Sequence, residues 1–253
     1  MSAPLLEIAA NSLASALAAQ DGGADRVELC ENLGEGGCTP SYGTLARTRD
    51  CVRIPLYVLI RPRPGDFFYD EFERDVMLRD IEASARLGCD GVVIGALDAD
   101  GHVDTATCRE LIVAAGFMGL TFHRAIDVAR DPVQALEAAI ALGCHRVLTS
   151  GASTTALEGA DAIAALVQQA EHRIRVMAGA GINAGNLREV AGRSRADEFH
   201  TSAKALRVSA MRHRNGLLAG LDPDWQQSDR EIVRTLRRTL DAVIVGSGQQ
   251  AVP

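Results

Sequence analysis

The sequence predicts a single-domain α/β protein of the TIM-like (β/α)8 barrel class. Three observations carry this. Short apolar runs recur along the chain and each ends in polar or glycine-rich residues; the clearest are RVELC (26–30), PLYVLIRPRPGDF (55–67), LTFHRAID (120–127), RVLTSG (146–151), VMAGAG (176–181) and EFHTSA (198–203). Stretches with helical patterning separate them, and an alternation of strand and helix builds a parallel sheet. The length of 253 residues matches one closed barrel, and a composition that is 47% hydrophobic supplies its core. The structural rival is a doubly wound open sheet, which would carry G-x-G-x-x-G after the first strand; that motif is absent.

The first strand covers 5–10, and its helix follows as NSLASALAAQDGGA, with Asn11 or Ser12 as N-cap and Gly22-Gly23 as the stop. Strand two is RVELC; a glycine-rich loop leads past Pro40 to a helix capped by Ser41. Strand three is PLYVLIRP. The helix over 70–87 is amphipathic and ends at Gly88. Strand four, GVVIGAL, is followed by the turn DADG and a helix over 105–115. Strand five is GLTFHRA, after which Asp131-Pro132 opens a helix, since proline is well tolerated at the first helical position. Strand six, RVLTS, precedes a helix over 155–170. Strand seven, RVMAG, precedes a short helix within GINAGNLREVAG. Strand eight is EFHTSA, and a helix over 227–243 closes the ring. The polar stretch 204–226 reads as a long loop, and 244–253 as a frayed tail of the same domain.

Charge and cysteine usage exclude several classes. The net charge is -7, lysine is scarce and the arginines are dispersed, so nothing draws a phosphate backbone. The N-terminus lacks a basic segment followed by a long apolar run, which predicts no signal peptide and no membrane helix. The six cysteines form no C-x-x-C, and Cys51, Cys89, Cys108 and Cys144 fall in or beside helices; reduced thiols of a cytoplasmic protein are expected.

Alternation along the strands sorts the side chains between helices and barrel interior. Leu6, Ile8, Val27, Leu29, Leu56, Val58, Ile60, Leu120, Phe122 and Phe199 go outward. Glu7, Glu28, Cys30, Tyr57, Leu59, Arg61, Thr121, His123, His200 and Ser202 then point in, with Arg63 a further candidate. Branched aliphatics normally fill such a core, yet here Glu7, Glu28, Arg61, His123 and His200 converge. Burying them costs several kcal/mol or more unless they pair or meet a polar ligand. One reading is a self-satisfied network with Arg61 between Glu7 and Glu28. The other is a pocket in which either Glu28 or His123 acts as base and the other as acid, and Arg61 clamps a carboxylate or developing oxyanion.

Turns after strands six, seven and eight place Ser150, Gly151, Gly179, Gly181 and Ser202 where barrels often hold phosphate, and Arg63 adds charge. The alternative is that these glycines serve backbone conformation and packing only. For metals, Cys30 with Cys38 or His200 offers a soft donor for Cu(I), and no H-E-x-x-H or C-x-x-C supports zinc.

Taken together, NSLASALAAQDGGADRVELC, EGGCTPSYG, IPLYVLIRPRPGDFFY, TFHRAIDVARDP, RVLTSGASTTALEG, MAGAGINAGN, EFHTSA and MRHRN resemble the CutC family over roughly residues 5–215. The resemblance implies a TIM-like barrel, a cytoplasmic homo-oligomer and a copper homeostasis role with Cu(I) bound through a cysteine, which matches Cys30 here. Members usually carry an aliphatic residue at the position of Cys38. Two functional readings follow: a copper-binding homeostasis protein, and an enzyme acting on a small anionic or phosphorylated metabolite. A bare scaffold for protein contacts is a third, for which the sequence shows no exposed apolar stripe.

Overall fold

The structure, a computed structural model, describes residues 4–217 and 220–248. Eight parallel strands close into one barrel in chain order: β1 (Leu5–Ala10), β2 (Arg26–Leu29), β3 (Leu56–Leu59), β4 (Gly91–Ile94), β5 (Gly119–Phe122), β6 (Arg146–Thr149), β7 (Arg175–Gly179) and β8 (Glu198–Thr201). Pairing of β1 with β8 closes the ring and sets Glu7 opposite His200. Around it lie α1 (Leu13–Gly22), α2 (Tyr42–Cys51), α3 (Glu71–Arg86), α4 (Thr105–Ala115), α5 (Ala125–Val128), α6 (Pro132–Ala141), α7 (Ala160–Ala170), α8 (Leu187–Ser194) and α9 (Arg230–Gly248). The fold is the closed barrel that the strand–helix alternation predicts.

The helix starts follow local chemistry. The Ser12 and Ser41 hydroxyls accept from the backbone of Ser15 and Thr44, and Asp131 precedes Pro132 at the first turn of α6. Asp70 and Glu73 form a reciprocal capping box on α3. The outward strand residues, among them Leu6, Val27, Leu56, Phe122 and Phe199, merge with the helices into one continuous core. Each large apolar side chain buried there contributes about 1.5–3 kcal/mol. Cys89, Cys108 and Cys144 pack into it, and all six cysteines are free thiols.

The interior is different. Ala9, Cys30, Tyr57, Leu59 and Val93 form a small apolar cluster there, with Leu148 and Met177 also buried on the inward side. Tyr57 lies across the barrel, with the guanidinium groups of Arg26 and Arg146 on its ring at 5.0 and 4.8 Å. Gly91 and Gly119 make room for it: a Cβ at Gly91 would stand 2.2 Å from the Tyr57 ring, and one at Gly119 1.9 Å from its hydroxyl.

Three segments differ from expectation. The four-residue helix α5 follows β5 directly. Residues 204–226 are not all loop: β9 (Lys204–Arg207) pairs antiparallel with β10 (Trp225–Ser228). This hairpin is anchored on the C-terminal face of the barrel, because Asn11 Nδ2 donates to the Gln226 carbonyl (2.9 Å) and the Ser228 amide to Ser15 Oγ (3.0 Å). Helix α9 continues to Gly248, past the expected end at 243; residues 249–253 of the expected tail lie outside the described residues. Among the described residues no helix is long and apolar enough to cross a membrane.

Gly91→Ala is expected to destabilise the barrel by about 1–3 kcal/mol, because the tyrosine must leave a packed position. Urea unfolding monitored by circular dichroism measures it; an unchanged midpoint would show that Tyr57 does not need the space.

Candidate active site at the barrel mouth

A cavity of about 500 Å³ opens at the C-terminal ends of the strands. Glu28 on β2, Arg61 after β3, His123 after β5 and His200 on β8 border it, as does Cys30. Parity brings them there: each is an inward position on its strand or its continuation.

Beneath the cavity runs a line of buried charges. Arg26, two residues before Glu28 on the same inward row, reaches Glu7 through Nε and Glu198 through Nη2. Arg146 Nε donates to the same Glu198 oxygen at 3.1 Å. Above, His200 Nδ1 lies 2.7 Å from Glu7 Oε1, and His200 Nε2 lies 3.4 Å from Glu28 Oε2. The expected arrangement of Arg61 between Glu7 and Glu28 is therefore not formed. Arg26 instead bridges Glu7 and Glu198, because β2 carries it directly opposite Glu7. The parity that points Glu28 inward applies equally to Arg26, and that of His200 to Glu198.

Pairing sets the protonation of this row. Burial pushes the Glu7 carboxyl up, but Arg26 and His200 outweigh it and hold the group at about 2. Burial lifts Glu28 to about 7, opposed by His200 and assisted by the ionised Glu7. For His200 burial acts downward, and the two carboxylates raise it overall. Glu28 and His200, 3.4 Å apart, therefore influence each other's titration, while Glu7 at Nδ1 fixes the orientation of the imidazole.

Arg61 and His123 stand on the opposite side of the chemistry. The Arg61 guanidinium donates to the carbonyls of Glu35 (2.9 Å), Gly37 (2.7 Å) and Gly65 (2.7 Å), but its Nε has no acceptor. His123 Nδ1 accepts from the Ala125 amide at 3.2 Å, which places the proton on Nε2, and that nitrogen also has no acceptor. Burial, with Arg61 nearby, drives His123 down to about 3, so it is a neutral donor. Its ring rests on Phe67 at 4.8 Å, and Gly95 leaves it room, since a Cβ there would fall 2.5 Å from the ring.

The expected anion contacts divide. Gly181 and Ser202 line the cavity. Arg63 does not: its guanidinium pairs with Glu73 and Asp66 beside Tyr69. Ser150 and Gly151 form a turn whose donors are already taken. The Asp127 carboxylate accepts from the Ser150 amide (3.0 Å), the Ser150 hydroxyl (3.0 Å), Thr149 Oγ1 (2.6 Å) and Arg124 Nε (2.7 Å), while the Gly151 amide donates to Thr149 Oγ1 (2.9 Å). Gly179 is a packing residue, since a Cβ would meet Leu148 at 2.5 Å and His200 at 3.3 Å. Sequence reasoning missed Arg26, Glu198, Arg146, Arg124 and Asp127. It also passed over Lys204, which lines the cavity and is the single lysine of the chain.

Two donor sets bear on metals. Ligand atoms of Glu7, Glu28 and His200 lie within 4.8 Å of one another, a set of oxygen and imidazole donors with Arg26 already on Glu7. Cys30 is a soft donor in the cavity wall. Burial, then Glu28 and Glu7, push its thiol well above the usual range, and it lies 3.8 Å from the Ala10 carbonyl. A soft cation there would have to displace a strongly held proton.

A family profile described as the CutC family matches residues 4–205. A CutC family protein of Xanthomonas campestris pv. campestris (strain B100) is 55% identical over 235 residues, covering 93% of this chain and 98% of that one. One from Xylella fastidiosa (strain Temecula1 / ATCC 700964) is 56% identical over 93% of this chain and 88% of its own. Among solved structures, the CutC protein of Streptococcus agalactiae, named for copper homeostasis, superposes with a TM-score of 0.75 at 33% identity, covering 79% of this chain and 98% of that one. Thiamine phosphate pyrophosphorylase from Pyrococcus furiosus, at 17% identity and TM-score 0.58 over 95% of this chain and 96% of that one, shares the fold alone.

His123 and Glu7 lose their contributions to stability in acid, whereas Glu28, raised to about 7, and His200, also raised, contribute stability at low pH that is lost as pH rises. The His123 contribution to stability is complete above the ordinary histidine value of 6.5 and is lost as pH falls toward about 3, because the unfolded chain takes the proton first. The Glu7 contribution is complete above 4.5 and is lost toward about 2. His123→Gln is therefore expected to flatten the upper part of the stability–pH curve, measured by urea unfolding at a series of pH values; a curve parallel to wild type would refute the assignment. Glu7→Gln is expected to cost roughly 3–5 kcal/mol, since it leaves Arg26 and His200 short of a buried partner.

Proposed function

The chain belongs to the CutC family, and from that premise and the chemistry of the mouth we propose an enzyme that moves a proton on a small anionic carbonyl compound. The observation that carries this is a pair of buried donors without acceptors, Arg61 Nε and His123 Nε2, on two residues that line the same cavity as Glu28 and His200. Buried donors left unpaired are costly, and a ligand oxygen satisfies both.

The roles follow from the protonation states. Glu28, with His200 behind it, is the general base and returns the proton as general acid. Arg61 and neutral His123 donate to the oxygen on which negative charge develops. Glu7 positions His200, and Gly181 and Ser202 contact the ligand at the rim. For the acid–base roles the reading differs from the sequence expectation at His123, which serves as a hydrogen-bond donor because burial and Arg61 hold it neutral, so the proton is assigned to Glu28 with His200.

Cu(I) at Cys30 is the second reading, favoured by the place of the thiol in the cavity wall. The donor set suits it less well, with one protonated buried thiol beside carboxylates. Anaerobic Cu(I) titration against a competing chelator tests it: a tight site lost in Cys30→Ser supports it, and a tight site unchanged by that substitution removes Cys30 from the role.

The main reading is tested by thermal shift with millimolar pyruvate, inorganic phosphate and glycerol phosphate. At least one anion is expected to raise the melting temperature, by an amount corresponding to about 2.7 kcal/mol at a hundredfold excess over its dissociation constant. Arg61→Gln and His123→Leu are expected to abolish the effect of pyruvate. No stabilisation by any anion would overturn the proposal.

A further inference from the structure

We propose that Lys204 is the clamp for a phosphate group, which makes the ligand a small phosphorylated carbonyl compound. The inference rests on the reading of the mouth as an anion pocket and names what the far end of that anion is.

The chain has 26 lysine and arginine residues, and Lys204 is its single lysine. It opens β9, immediately after the Ser202-Ala203 turn that ends β8, and its side chain lines the cavity. The other cations around that cavity are committed. Arg61 spends its terminal nitrogens on three carbonyls, and Arg124 is held by Asp127 and Ser150. Lys204 makes no ion pair or side-chain hydrogen bond among the described residues, and neither does the Ser202 hydroxyl. An ammonium is a compact point charge with rotatable donors, suited to a phosphate that an arginine fork would fix in one plane.

The turn after β7 lines the same cavity as Lys204. After β7 the Gly181 carbonyl accepts from Asn183 Nδ2 (3.2 Å) and Asn186 Nδ2 (2.9 Å), and the Ile182 carbonyl from Thr201 Oγ1 (2.6 Å). The oxygens that would repel an anion are thereby occupied. The other turn suited to an anion, at Ser150-Gly151, already holds the Asp127 carboxylate. That leaves the β7–β8 side for an external phosphate, where barrels commonly bind one. Arg61 and His123, 5% and 4% exposed, line the same cavity, and each carries one buried donor without an acceptor among the described residues. One ligand with a carbonyl at one end and a phosphate at the other satisfies both.

The single lysine makes the test direct. Acylation with an acetyl succinimidyl ester modifies Lys204 and the N-terminal amine, and peptide mass analysis separates them. Inorganic phosphate and glycerol phosphate are expected to slow acylation of Lys204 several-fold without affecting the N-terminal amine, and chloride at matched ionic strength is expected to have no effect. Lys204→Gln is expected to weaken phosphate binding roughly tenfold, the loss of one charge-assisted contact, while pyruvate binding persists. Equal protection by chloride, or phosphate binding unchanged in Lys204→Gln, overturns the clamp. Pyruvate binding that depends on Arg61, with no protection of Lys204, overturns the clamp and leaves the anion-pocket reading standing. Protection of Lys204 with no role for Arg61 or His123 supports the clamp and overturns the Arg61 and His123 half of that reading.

Discussion

The buried guanidinium of Arg26, held between Glu7 and Glu198 inside the barrel, governs much of what lies above it. A closed ring of eight short strands needs its interior filled, and branched aliphatics do this in most barrels. Here one arginine reaches two carboxylates on neighbouring strands, and Arg146 completes the lower end. Pairing offsets a desolvation penalty that would otherwise protonate the acids or open the barrel. Because Glu7 stays ionised, it orients His200, and His200 in turn faces Glu28. The lower charges thus act on the mouth without touching a ligand.

The mouth itself is divided in two. On the β1, β2 and β8 side lie Glu7, Glu28 and His200, a carboxylate–imidazole cluster. On the β3 and β5 side lie Arg61 and the neutral His123, whose Nε and Nε2 are donors without acceptors among the described residues. The division has an electrostatic cause. His200 has two carboxylates beside it, so its charged form is favoured, whereas His123 has Arg61 and an apolar surround, so its neutral form is favoured. Two histidines in one cavity thereby take opposite roles. A similar economy appears at Asp127, whose carboxylate occupies a turn that could otherwise bind an external anion and ties β5 to β6.

The architecture was legible in the sequence because its signals are local. Period-two apolar runs, glycine stops and residues such as Ser12, Asp70 and Asp131-Pro132 act within a few positions of themselves, and the elements fall close to where those signals put them. Inward parity likewise pointed to Glu7, Glu28, Cys30, Arg61, His123 and His200 before any contact was known. Where local signals were thin, as in 204–226, the paired strands of the hairpin went unseen, since antiparallel pairing depends on partners about twenty residues apart.

By itself, then, the sequence determined the barrel, the faces of its strands and the residue types that meet inside it. The tertiary structure alone decided who pairs with whom. Strand register places Arg26 opposite Glu7 and leaves Arg61 to the loop carbonyls of Glu35, Gly37 and Gly65. It also decided which glycine turns remain open to a ligand and which are filled by the chain's own carboxylate. Parity fixes a direction along one strand, but pairing is a matter of distance between strands. That distance is set only when the ring closes and β1 meets β8.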